Sequence, residues 1–171
     1  MTIHSIPSLI RFGGLKLRIL LALCFVFVAA PQPLAQSDKG EVSFTSILLS
    51  TRSGIGFSVD RVIYTQADFE AFWSLAHAGS SPMPPTPEID FGKRMVVVAA
   101  MGPQISPKHS IKITRIERVK TMVRVSIEET QPGKDCSPIG LITNPVHMVE
   151  TDQLFGVTFR RSIGSRCADF D

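Results

Sequence analysis

The chain has 171 residues, 44% of them hydrophobic, with eighteen lysines and arginines against fifteen aspartates and glutamates. Three of those cations, Arg11, Lys16 and Arg18, lie in an N-terminal stretch that reads as a secretory signal. Without it the charges balance at fifteen each, which removes the electrostatic case for a nucleic-acid partner. About 135 residues then remain, enough for one domain with its own core.

The signal reading rests on order. Arg11, Lys16 and Arg18 precede an unbroken apolar run from Ile19 to Ala30, and Pro31, Pro33 and Ala35 follow. Charge, apolar core and small residue in that sequence mark a segment removed on export, so residues 1–35 are assigned to it and the mature chain is expected in the periplasm or outside the cell. The run falls short of the roughly 20 apolar residues that span a bilayer. Retention as an anchor, which would hold the chain at a membrane, is the alternative. Cys24 follows Leu21-Ala22-Leu23 and is continued by Phe25-Val26-Phe27, an apolar context that lacks the small residue a lipid-attachment site needs, so it is read as part of the signal. Cys136 and Cys167 are then the two that remain. In an oxidising compartment an even pair in a small domain points to a disulfide rather than to a nucleophile or a metal site, here one that ties the C-terminal tail to a loop.

Residues 36–53 are expected to form a polar lead, Ser37 to Glu41, and a first strand from Val42 to Ile47. Ser53-Gly54-Ile55-Gly56 signals a turn or bulge before a second extended segment, Phe57 to Tyr64; no helix signal follows directly, so the two glycines do not make a nucleotide loop. Thr65 and Asp68 have the spacing of an N-terminal helix cap. Phe69, Phe72, Trp73 and Ala76 then recur at helical spacing, which predicts an amphipathic helix from Gln66 to His77 ended by Gly79. Its aromatic stripe is the face expected to pack on a sheet. Pro82, Pro84, Pro85 and Pro87 make an extended connector.

Met95-Val96-Val97-Val98-Ala99-Ala100-Met101 has no polar side chain, is β-branched at its middle and stops at Gly102-Pro103. Such a block is a strand buried on both faces, because a strand with one wet face would alternate. Alternation does appear downstream: Ile111 and Ile113 against Lys112 and Thr114, then Val123, Val125 and Ile127 against Arg124, Ser126 and Glu128. The hairpin between them turns near Lys120-Thr121. Long loops run from Gly102 to Ser110 and from Gln131 to Leu141. Pro145 within the extended stretch Ile142 to Val149 implies an edge strand or a bulge. Leu154 to Arg160 supplies a last strand with Phe155, Val157 and Phe159 on one face, and residues 161–171 read as a polar tail. The fold class that follows is α+β, mainly antiparallel β in a sheet or sandwich, with one packed amphipathic helix.

Several of these motifs together resemble the C-terminal domain of PrcB-type protease-complex subunits. Val62-Ile63-Tyr64 with Phe69 and Phe72-Trp73 resembles that family's strand leading into an aromatic-ended helix. Pro85-Thr86-Pro87-Glu88-Ile89-Asp90-Phe91 before Met95-Val96-Val97 resembles its proline-rich approach and central strand. Gly102, Ser110-Ile111-Lys112-Ile113, Val123-Arg124-Val125 and Thr143 to Val149 resemble its later strands, so that the likeness spans Gly54 to Val149. Ser106-Pro107-Lys108-His109 stands where the family has a T-G-G-Y-like loop, with neither glycine and with histidine for tyrosine. The resemblance implies a non-enzymatic accessory that binds and stabilises a secreted protease.

Catalytic motifs are missing. His77, His109 and His147 have no second ligand at helical spacing, and neither a Gly-x-Ser-x-Gly elbow nor a phosphate loop occurs, so no metal or cofactor is expected. One local charge signal stands out: Lys93, Arg94, Lys108, Lys112, Arg115, Arg118, Lys120 and Arg124 face only Glu117 across that stretch of sequence. It reads either as a solvated, edge-protecting surface or as a dock for an anionic partner. The residues expected at a protein partner are Ser106, Lys108, His109, Lys112, Arg118, Arg124, Asn144 and His147. A structural envelope protein and a secreted protease inhibitor are the alternative functions.

Overall fold

The computed structural model describes residues 39–134, 136 and 140–166. Among the described residues eight strands, β1 (Lys39–Glu41), β2 (Phe44–Ser50), β3 (Ser58–Ile63), β4 (Arg94–Met101), β5 (Ser110–Val119), β6 (Met122–Gln131), β7 (Val146–Asp152) and β8 (Val157–Ser165), accompany one helix, α1 (Gln66–Ala76). They form two four-stranded sheets, β1-β5-β6-β8 and β2-β7-β4-β3. The fold is α+β and mainly β.

β4 explains the arrangement. It lies between β3 and β7, so its main chain is paired along both edges. Its side chains are buried in two directions: Met95, Val97, Ala99 and Met101 meet Ile111, Ile113, Val125 and Ile127 of the facing sheet, while Val96, Val98 and Ala100 meet Phe69, Phe72, Trp73 and Ala76 of α1. A layer of helix, a sheet and a second sheet follow from one unbroken apolar block.

The helix begins where the cap was expected. Thr65 Oγ1 accepts the Asp68 N–H at 3.2 Å and donates its own proton to the Asp68 carboxylate at 2.9 Å. At the other end His77 caps the helix, its N–H donating to the Trp73 carbonyl at 3.0 Å. Trp73 Nε1 donates to the Pro84 carbonyl at 3.2 Å, which lays the proline segment along the helix. Gly54 is required by proximity: its N–H donates to the Ala76 carbonyl at 2.9 Å, and an added Cβ would stand 2.2 Å from the Leu75 carbonyl oxygen.

Four expectations are corrected. The polar lead contributes a strand, because Lys39 to Glu41 pair with Glu117 to Val119 and give the edge of β5 a partner. Pro145 does not mark an edge or a bulge: it precedes β7, which begins at Val146 and runs inside its sheet between β2 and β4. Phe155 does not join a strand face with Val157 and Phe159; it lies ahead of β8, 72% exposed, stacked on Tyr64. The polar tail is a strand as far as Ser165, since β8 pairs with β6 from Val157 to Ser165, and it does so in parallel. The hairpin turn is as short as its position suggested, with Val119 opposite Met122 and Lys120 in the left-handed region at φ 56°. A bulge between Ile113 and Arg115 turns Thr114 and Arg115 both to solvent before Ile116 re-enters the core.

Candidate functional site

Strands β2, β4, β6 and β8 finish, and β3, β5 and β7 start, at one end of the molecule, so the loops 51–57 and 102–109 and the described residues 132–134 and 140–145 gather there. Gln104 and Thr143 join two of these loops by a reciprocal main-chain pair, 2.7 Å and 2.9 Å. The antiparallel bridge brings together the residues that flank it, Ile105 and Ile142. Their exposures are 80% and 71%, and Leu141 beside them is also exposed. Aliphatic side chains held out in this way, on a rigid scaffold, make this end the candidate contact surface.

The Ser106 carbonyl holds the first loop in place. It accepts from the His109 N–H at 3.3 Å, from His109 Nδ1 at 3.0 Å and from Thr143 Oγ1 at 3.2 Å. Ser106 Oγ also accepts the Lys108 N–H at 3.3 Å. The Ser106-Pro107-Lys108-His109 departure therefore forms a closed turn in which the imidazole, not a glycine pair, fixes the geometry. Asn144 anchors the second loop, its N–H donating to the Thr51 carbonyl at 3.0 Å and its Nδ2 to the Ser53 carbonyl at 2.9 Å.

Two of the residues expected at a partner are instead interior. Ser106 is buried, and His147 is 2% exposed. His147 Nδ1 accepts the Ile113 N–H at 2.8 Å, which leaves the proton on Nε2, 3.0 Å from Ser46 Oγ. The ring thereby joins β7 and β2 of one sheet to β5 of the other. Burial, followed by the charge of Lys112, pushes its pKa down to about 4, so it is a neutral bridge at physiological pH. Lys108, His109 and Asn144 are half-buried among the loops, while Lys112 and Arg118 are exposed.

Four of the eight basic residues of the stretch are paired in space. Arg94 reaches Glu150 at 2.8 Å and Asp152 at 2.5 Å, Lys93 pairs with Asp90 at 3.1 Å, Arg124 with Glu117 at 3.1 Å, and Arg115 lies 3.7 Å from Glu41. Nor does the stretch form one face. The bulge gives Arg118 the register of Ile116, on the core side of β5, while Arg124 alternates with the buried Val123 and Val125 and projects outward.

A second ionic cluster lay hidden in the supposed tail. Arg161 continues the inward row of Val157 and Phe159 and clamps the two sheets: its Nε and Nη2 donate to Asp60 of β3 at 2.9 Å and 2.7 Å, Nη1 donates to Glu129 of β6, and Nη2 also reaches the Ala100 carbonyl at 3.0 Å. Asp60 foremost, with Glu129 added, holds the guanidinium pKa above its ordinary value. Among the described residues no three His, Cys, Asp or Glu side chains converge to hold a metal ion.

Residues 95–152 match the family model described as PrcB C-terminal. That segment is PrcB C-terminal-like. The matched segment runs from β4 to the end of β7 and so includes two strands of each sheet, the Gln104–Thr143 bridge and both exposed isoleucines of the loop end. The helix, β1 to β3 and β8 lie outside the matched segment. No curated protein and no solved structure matches this chain.

Proposed function

We propose that the protein is an exported, non-catalytic accessory module that binds and stabilises a secreted protease through its loop end. PrcB proteins are accessory subunits of protease complexes, and the matched segment here carries the surface a subunit contact needs. The observation that carries the reading is the pair Ile105 and Ile142, side by side and facing solvent. In the loops of the same end the exposed cations Arg52 and Lys134 favour an acidic partner surface, since Asp60 and Glu129 are already engaged by Arg161 and Glu128 by Arg166.

Affinity purification from the native culture fluid, with mass-spectrometric identification, tests this. A protease should be recovered with the wild-type chain, and Ile105→Asp with Ile142→Asp should weaken its binding at least about thirtyfold, the size expected for a truncated contact centre. Association should slow with added salt, because exposed charges are screened beyond about 8 Å at physiological ionic strength. Recovery of a protease that the module shuts off would make it an inhibitor, and recovery of no protease would end the reading.

Export and the disulfide belong to the same proposal. Cys167 lies outside the described residues, but the Arg166 N–H donates to the Gln131 carbonyl at 3.1 Å, which brings the chain just before Cys167 beside the loop that carries Cys136. Intact mass and non-reducing peptide mapping of exported protein should find a chain starting near Gln36 with Cys136 joined to Cys167. A lipid-modified Cys24, or two freely alkylated thiols, would refute it.

A further inference from the structure

Beside the loop end a groove of about 460 Å³ opens between the end of β2 and the start of β5. Leu49 supplies exposed apolar surface above the buried Ile111 and Pro145, Ser50, Thr51 and Ser110 supply hydroxyls, and Lys112 is the one charged residue of the lining. The groove exists because β1 is short. It pairs only with Glu117 to Val119, the Val42 N–H makes a last bond to the Ile116 carbonyl, and the chain then crosses to the other sheet. Leu49 is left 57% exposed.

The charge on Lys112 is uncompensated. Its cross-strand neighbour is Glu128, but that carboxylate is held by Arg166 at 2.9 Å, and among the described residues no carboxylate lies within 4.0 Å of the Lys112 ammonium. An aliphatic wall, a rim of hydroxyls and a single available cation select an aliphatic group that ends in a carboxylate.

We propose that this groove binds the C-terminus of a polypeptide, with the last aliphatic side chain against Leu49 and Ile111 and the terminal carboxylate on Lys112. The hydroxyls of Ser50, Thr51 and Ser110 suit the amides of a peptide. This site is separate from the Ile105 and Ile142 contact and requires no protease.

NMR titration of the wild-type protein with N-acetyl-leucyl-valine as the free acid, with the same dipeptide as its amide, and with decanoate provides the test. The acid should shift the Leu49 and Ile111 methyl signals and bind at least about tenfold more tightly than the amide. Lys112→Gln should erase that difference and Lys112→Arg preserve it, while Leu49→Asp should abolish binding. Both side chains are exposed, so the variants should melt with the wild type. Equal affinity for acid and amide, or unmoved Leu49 and Ile111 signals, would overturn the site. Tighter binding of decanoate than of the peptide acid would overturn the polypeptide as its source. Loss of peptide binding with protease capture intact would leave the loop-end proposal standing.

Discussion

Arg161→Ala should destabilise the domain by about 3–5 kcal/mol, because it leaves the carboxylates of Asp60 and Glu129 facing each other across the sheets with their shared cation removed. The three side chains are 24%, 20% and 10% exposed, too sheltered for water to replace the guanidinium cheaply. The carbonyls of Ala100 and Val59 lose a donor at the same time. A fall of roughly 10 °C or more in melting temperature is expected for a domain of this size. Arg161→Lys should recover only part of it, since an ammonium cannot present the planar fork that meets both oxygens of Asp60. If Arg161→Ala melts within about 2 °C of the wild type, the cluster is a solvated surface pair and not a clamp.

The second large effect is one of pH. In the folded chain His147 is held neutral with a pKa of about 4, whereas the unfolded chain has the ordinary value of 6.5. The folded value is depressed, so the stabilisation is complete above 6.5 and is lost as pH falls from there towards 4, where the unfolded state takes up a proton that the folded state refuses. The difference amounts to about 3 kcal/mol across that interval. Burial is the main cause and the charge of Lys112 the second, and the bonding agrees with them, since a proton on Nδ1 would meet the Ile113 N–H donor head-on. Urea midpoints measured between about pH 7 and about pH 5 should fall for the wild type. They should be flatter for His147→Gln, which keeps an acceptor for Ile113 without a titrating ring. Parallel curves for the two proteins would show that other groups carry the acid sensitivity.

Much of the architecture could be read from the chain because burial leaves a period in it. The apolar block from Met95 to Met101 announced a doubly covered strand, and the spacing of Phe69, Phe72, Trp73 and Ala76 announced the helix that covers one side. What periodicity cannot carry is pairing between distant segments. The eight basic residues look unopposed along the sequence, but Glu150, Asp152 and Glu41 arrive from other strands. Arg161 was read as tail for the same reason, since its two carboxylates come from β3 and β6.

The candidate site was legible only as a location. Loops that follow a long buried strand were expected to carry contacts, and two of them do converge. Ile105 and Ile142 gave no signal of their own, because single aliphatic residues in loops are common; only the Gln104–Thr143 pairing makes them neighbours. His147 misled in the opposite direction. A histidine in an extended segment looks available to a partner until its register shows it facing the other sheet.

The way the first strand is seated also fixes how the module can be held. Lys39 sits opposite Val119 at the hairpin end of β5, while β8 finishes with Ser165 opposite Gln131 at the loop end. Attachment through residues that precede Lys39 therefore grips the domain by its far pole and leaves Ile105, Ile142 and the Leu49 groove pointing away from the support. A bulky fusion after Arg166 would crowd those same surfaces. Immobilisation for binding studies should be made through the N-terminal side, and any natural tether on that side would display the loops outward, like a hand on an arm.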